Sequence, residues 1–341
     1  KDRITMSLAA FNQPAAVAAA GTGAIILLPF VEDLAAKGVF TWAQLKGAAA
    51  AAYALQVVCV SIPGRIDGDM AKDLQDEKRR AEGKDVSTNM DSTGGEAKKL
   101  SSRNGKTLVA PAGWAFAIWG PIFVGELVSV IFQLSISADD PLVPLLRKTA
   151  VPFAFAHIFQ SLWCAAFRRK YRGNLMYISF GMLASTAFSL AKAHAAYAAE
   201  SSTYSGGTYA KLFFSMSLHT GWTVAASIVN LNGAFSMKES SSPRAIAWLG
   251  HASVVAATAV GVALTTARSA PVFGGVISWA LLAVADGMKQ RIEKAKKNDA
   301  MNASNLVGAA TQRKLSLLGA AVSAVAVIVT TAKMILLPKV K

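Results

Sequence analysis

Residues 110–126 read A-P-A-G-W-A-F-A-I-W-G-P-I-F-V-G-E and run on into L-V-S-V-I-F-Q-L. The stretch is long and apolar enough to cross a bilayer, yet it holds two tryptophans, three glycines, two prolines and a carboxylate. A plain lipid anchor needs none of these. Pro121 removes a backbone hydrogen bond and predicts a kink near Gly120. Gly113, Gly120 and Gly125 allow close approach by a neighbouring helix. Trp119, Glu126 and Gln133 recur at intervals of seven and so share one face. That face cannot point into lipid, where an unpartnered carboxylate is costly.

The surrounding sequence sets this stretch among many like it. The chain has 341 residues, of which 53% are hydrophobic and 16% charged, against roughly 25% charged in soluble domains. Apolar blocks of about 20 residues, the length that spans hydrocarbon, alternate with short basic connectors. The alternating ten-residue strands of a transmembrane barrel are absent from the sequence. The predicted fold is therefore all-α, a polytopic bundle of about eight spans. They fall near 45–63, 112–134, 150–168, 175–197, 210–233, 245–266, 271–288 and 315–337. An earlier block, Pro14 to Val31, is short and interrupted by G-T-G, so residues 1–44 read as an interfacial segment.

A net charge of +15 suggests nucleic acid in a soluble protein, but no recognition motif accompanies it here. The charge instead marks topology. With eight crossings, the connectors at 64–111, 169–174, 234–244 and 289–314 share one side. They carry about two-thirds of all Lys and Arg, which places that side toward the cytosol, stroma or matrix. The expected partner of this charge is anionic lipid. Residues 64–109 form one long polar insertion whose opposite charges at helical spacing predict a short surface helix, read as a lid or a docking segment. Cys59 and Cys164 both lie in apolar segments and predict neither a disulfide framework nor a zinc site. The Ala-rich start suits a protein imported into an organelle.

Two further spans repeat the polar-aromatic stripe. His157, Gln160, Cys164 and Arg168 fall on one face, as do Ser215, His219, Trp222, Ala226 and Asn230. Three such stripes on separate helices most economically face a common interior, either a ligand cavity or a hydrogen-bonded core. Trp248 reads as an interfacial anchor, Lys192 as a snorkelling side chain, and Asp286 as a partner of Lys289 or Lys294. No metalloprotease, nucleophile-elbow or phosphate-loop motif occurs, so catalysis is not expected. Nor do paired broken helices or inverted repeats argue for a transporter.

P-A-G-W-A-F-A-I-W-G-P-I-F at 111–123 resembles the second-span entry of the tryptophan-rich sensory protein or translocator protein (TspO/MBR) family. F-Q-S-L-W-C-A-A-F at 159–167 and L-H-T-G-W-T-V-A-A-S-I-V-N-L-N at 218–232 are similar to its third- and fifth-span patterns. V-F-G-G-V-I-S-W-A-L-L-A-V-A at 272–285 looks like a late span of a longer branch. The resemblance implies a five-helix core over 45–233 with the insertion at 64–109, and a three-helix extension over 234–341. It implies a non-enzymatic protein that binds a tetrapyrrole (a porphyrin or chlorophyll) or a lipid and commonly forms a homodimer. Carried onto this chain, Trp114, Phe116 and Trp119 would line the cavity mouth, and Trp163, Trp222 and Asn230 its wall. Glu126, Gln160 and His219 join them as candidate polar contacts from the stripes.

A second reading makes the chain an accessory subunit of a photosynthetic or respiratory supercomplex. In that case His157, His219 or His251 would ligate chlorophyll magnesium. Either reading favours a plastid thylakoid or envelope membrane over a mitochondrial one.

Overall fold

A computed structural model describes residues 13–61, 107–167, 171, 173–200, 205–238, 240–297 and 306–336. The described residues form nine helices long and apolar enough to cross a membrane, with no strand. Their α-helical parts are α1 Pro14–Ala36, α2 Trp42–Ser61, α3 Trp119–Ser135, which reaches spanning length together with the 3-10 segment before it, α4 Val143–Ala166, α5 Met176–Ala199, α6 Phe214–Ser236, α7 Pro243–Ala267, α8 Pro271–Lys297 and α9 Ala309–Leu336. The chain is thus an all-α helical bundle and an integral membrane protein. The starts of α1, α4 and α7 carry proline in the first turn, where its missing N–H leaves nothing unsatisfied. At the start of α7, Ser242 Oγ also accepts from the Ala245 N–H at 3.2 Å, a side-chain cap for an otherwise orphan donor.

The structure differs from the sequence reading in three places. The block at Pro14 is continuous helix through Gly21-Thr22-Gly23 and long enough to cross, which makes nine such helices against the eight expected. Packing holds it. A Cβ on Gly21 would lie 2.4 Å from the Met182 sulfur of α5, and Lys192 of α5 pairs with Glu32 of α1 in place of snorkelling. Second, Pro121 does not kink a span. It lies in the first turn of α3, and the break comes earlier as a 3-10 segment over Gly113–Ile118. Third, Asp286 accepts from Trp114 Nε1 at 3.0 Å and from Gln290 Nε2 at 2.9 Å and not from Lys289, while the side chain of Lys294, the other expected partner, lies outside the described residues. Most of the insertion at 64–109, and Arg168 with the basic run after it, lie outside the described residues.

Helix α6 is the spine, packing against α3, α5, α7 and α8, while α4 joins α1, α2 and α5. One apolar core runs from Leu28 of α1 through Leu146, Leu190 and Phe213 to Phe273, Ile277 and Ala320. Lipid tails are as apolar as this core, so close van der Waals packing has to hold the helices together. Glycine permits it. A Cβ on Gly274 would fall 2.3 Å from Thr265 Oγ1, and one on Gly319 the same distance from Thr258 Oγ1, which draws α7, α8 and α9 into a tight triplet.

The helix order places the connectors after α2, α4, α6 and α8 at one end of the bundle, the basic face. The opposite face is tied by buried and half-buried cations and indoles. Trp42 Nε1 and Lys46 Nζ both donate to Ile136 O, at 3.1 and 2.9 Å, and Arg147 donates to Phe40 O at 2.9 Å. On the basic face, the strap 107–112 lies across α8. Ala112 N donates to Ala283 O at 2.8 Å, and Arg291 donates to Thr107 O. Gly287 makes that crossing possible, because a Cβ there would sit 2.2 Å from Ala110 O. Gly287→Ala is expected to destabilise by about 1–3 kcal/mol, seen as a lower midpoint of thermal unfolding in detergent. Gly275→Ala, with open space around it, should instead be neutral or stabilising by up to about 1 kcal/mol.

Candidate functional site

A cavity of about 650 Å³ opens among α3, α4, α5, α6, α7 and α8 in the basic half of the bundle. Such a volume falls within the range of about 300–1,000 Å³ of small-molecule sites. Its space comes from small side chains, Ala225, Ala226 and Gly233 on α6, Ala257 on α7 and Ala280 on α8. Into that space project Phe116, Trp119, Trp163 and Trp222. These rings are held by one another. Phe116 and Trp119 meet Trp222 edge-on at 5.7 and 6.1 Å, Trp119 stacks on Phe123 at 5.3 Å, and Trp163 stacks on Phe167 at 5.2 Å.

Polar groups on the wall are few, and Asn230 organises them. Its Oδ1 accepts from Ser179 Oγ at 2.9 Å and from Trp163 Nε1 at 3.4 Å, while its Nδ2 donates to Ala226 O at 3.0 Å. The amide thereby fixes the plane of the Trp163 indole against α6. At the mouth, the lining residue Thr107 holds Arg291, and Lys238 follows the lining residue Met237 with its ammonium 4.8 Å from the Tyr177 ring.

Of the nine ligand-contact candidates read from the sequence, Phe116, Trp119, Trp163, Trp222 and Asn230 stand on this wall. Trp114 stands outside it, edge-on to Trp279 at 4.7 Å with its N–H on Asp286. A 3-10 segment turns 120° per residue instead of 100°, so it aims Trp114 and Phe116 differently from an α-helix. The other three candidates, Glu126, Gln160 and His219, lie deeper, below the cavity floor, in a second group that includes Gln56 and His157.

This deeper group draws on α2, α3, α4 and α6. Glu126 Oε1 is hydrogen-bonded to His219 Nδ1 at 2.6 Å, and His157 Nε2 stands 3.8 Å from the same oxygen. All five side chains are 0–1% exposed. Together with the Trp222 indole they contain nine buried polar atoms without a hydrogen-bond partner: both ends of Gln56 and Gln160, both nitrogens of His157, Glu126 Oε2, His219 Nε2 and Trp222 Nε1. Leaving such atoms unsatisfied costs about 1–3 kcal/mol each. His157 was on the stripe read from the sequence, whereas Gln56 was missed. Gln56 is a single amide in an Ala-rich span, and only its position one turn from Val60, a lining residue, could have flagged it.

The three histidines considered as magnesium ligands stand apart from the cavity wall. His157 is enclosed by the Tyr53 and Phe153 rings at 5.6 and 4.3 Å, His219 is committed to Glu126, and His251 Nδ1 meets Gln312 Oε1 at 2.6 Å between α7 and α9. Among the described residues, no three His, Cys, Asp or Glu side chains are grouped to hold a metal ion.

A membrane bundle with an aromatic-lined recess among its helices is the class of protein that this geometry defines. The sequence supplies the family. Residues 86–332 match the model of the TSPO-like protein family, most of the chain, and the protein belongs to that family. The match covers α3 to α9 and leaves α1 and α2 outside. No curated protein and no solved structure shows detectable similarity to the chain.

If the two amides below the floor serve no structural purpose, removing them should help the fold. Gln56→Leu and Gln160→Leu are each expected to raise stability by about 1–3 kcal/mol. Chemical denaturation followed by circular dichroism checks this; a loss of stability would show that the amides are partnered in the membrane.

Proposed function

We propose that the protein is a non-enzymatic receptor for a flat, largely apolar ligand, a tetrapyrrole or a lipid, held in the cavity beneath the 107–112 strap. The carrying observation is the wall itself, four locked aromatic rings facing a floor of small residues, with one organised amide. Aromatic faces and apolar burial give such a ligand its affinity, and a few polar groups orient it. Arg291 and Lys238 near the mouth favour an anionic edge, as in a porphyrin carrying carboxylates. Membership of the TSPO-like family agrees with this reading. Residence in a plastid membrane, before a mitochondrial one, and assembly as a homodimer are parts of the same proposal.

The test is a titration of the folded protein in detergent with protoporphyrin, read as quenching of tryptophan fluorescence. Saturable quenching is expected. Trp222→Ala and Trp119→Ala should each weaken it about tenfold, the equivalent of the roughly 1.4 kcal/mol that an aromatic contact contributes. Absence of quenching in folded protein would exclude a porphyrin. Migration of gently solubilised native protein within a large coloured complex would favour the rival role, an accessory subunit of a pigment-bearing assembly. Migration as a colourless monomer or dimer would favour the free receptor.

A further inference from the structure

The group below the cavity floor calls for a proton. Among the described residues Glu126 is the sole carboxylate there, deep in the hydrocarbon span, and no Lys or Arg forms an ion pair with it. An isolated charge at that depth is costly, so the neutral assembly is the favoured state and the charged one is reached only by losing the proton. Neutrality requires one proton beyond the fully deprotonated set, on the carboxyl or on an imidazole. The groups facing Glu126 limit where it can go. From α2, the Tyr53 hydroxyl is committed to Phe123 O at 2.8 Å. From α4 comes His157 and from α6 His219, both against the same carboxyl oxygen at 3.8 and 2.6 Å. The turn before α6 contributes Lys211, but its ammonium lies over the Phe132 ring, almost two turns further along α3. His194 of α5 is bonded to Ser217 and Arg268 and takes no part.

We propose that Glu126, His219 and His157 form an interior proton-binding site that stores one exchangeable proton and is linked to the occupancy of the cavity above it. Transfer is balanced within the group: the O–H bond at Glu126 Oε1 breaks as an N–H bond forms at His219 Nδ1, or the reverse. His157 offers a second acceptor on another helix, with both nitrogens unpartnered. The link to the cavity is physical. Trp119 lines the cavity and meets the His219 ring edge-on at 5.8 Å. Trp222 lines it one helical turn from His219, its indole N–H unpartnered. A ligand that presses on either ring presses on the imidazole that holds or yields the proton. The site itself stands without any ligand; only its linkage rests on the proposed receptor function.

The test uses the full chain in lipid nanodiscs, with infrared difference spectra recorded between about pH 4 and pH 9, across the ordinary range of carboxyl and imidazole groups. Subtracting the spectra of Glu126→Gln removes the exposed carboxyls. The expected result is one protonated-carboxyl C=O stretch, or one pair of imidazole bands, that changes with pH in wild type and is lost in Glu126→Gln. The signal should shift in His219→Asn, a variant that carries the same readout if Glu126→Gln does not fold. Identical spectra in wild type and variants would overturn the proposal, as would a Glu126 band that never changes with pH. With protoporphyrin as probe, linkage predicts an affinity that changes by up to about tenfold per pH unit in wild type and not in Glu126→Gln. A pH-independent affinity beside a titrating band would overturn the linkage. No porphyrin binding beside a titrating band would overturn the receptor reading and leave the proton site standing.

Discussion

A carboxyl group at the middle of a bilayer needs a partner from another helix, and Glu126 finds one in His219 at 2.6 Å. Much of the bundle is arranged around that demand. It brings α3 against α6, where Gly125 gives Ser215 the room to approach, since a Cβ on the glycine would lie 2.8 Å from the serine Cβ. With α6 so placed, α5 and α8 pack on its remaining sides and α7 completes the cavity wall. Breaking a buried pair by removing one member generally costs about 3–5 kcal/mol, as much as truncating a large buried apolar side chain. The pair therefore acts as a registration point between two helices that lipid alone would let slide.

Above that point the packing logic reverses. The α7–α8–α9 triplet closes tightly because glycines face hydroxyls and branched side chains. Around the cavity, small residues face one another, and the gap between them is partly filled by aromatic rings from α3, α4 and α6. The rings do not collapse into the gap because each leans on another, and Asn230 holds Trp163 by its N–H. A recess of this kind is costly to maintain in an otherwise well-packed interior. That cost is in keeping with the receptor role proposed for it.

How much of this could be read from the chain depended on periodicity. Eight apolar blocks with basic connectors were legible because length and charge are local properties. The stripe Trp119–Glu126–Gln133 was legible for the same reason, and Glu126 and Gln133 are indeed buried. So was the exposure of Trp248 on α7, 75% accessible, as expected for an anchor at the bilayer edge. What local periodicity misses is register between helices. The spacing His157–Gln160–Cys164 puts three side chains on one face, yet Cys164 lines the cavity while His157 and Gln160 lie beneath its floor. Trp114 was misplaced because Pro111 and Gly113 start a 3-10 turn, whose pitch no hydrophobic pattern signals. The helix at Pro14 looked too broken to continue because Gly21 is explained only by Met182, some 160 positions away, and Gly23 by no neighbour at all.

The recess is lined by the starts of α3 and α5, the ends of α4 and α6, the middles of α7 and α8, Val60 of α2 and the strap at 107–112. Beyond its floor the helices close on Leu146, Leu190 and Phe213, each buried. At the far face, Trp42, Lys46 and Arg147 stitch the helix ends to one another. For the receptor proposed above, a ligand taken up beside the strap would be released beside it, so its occupancy would follow the supply on that side of the membrane.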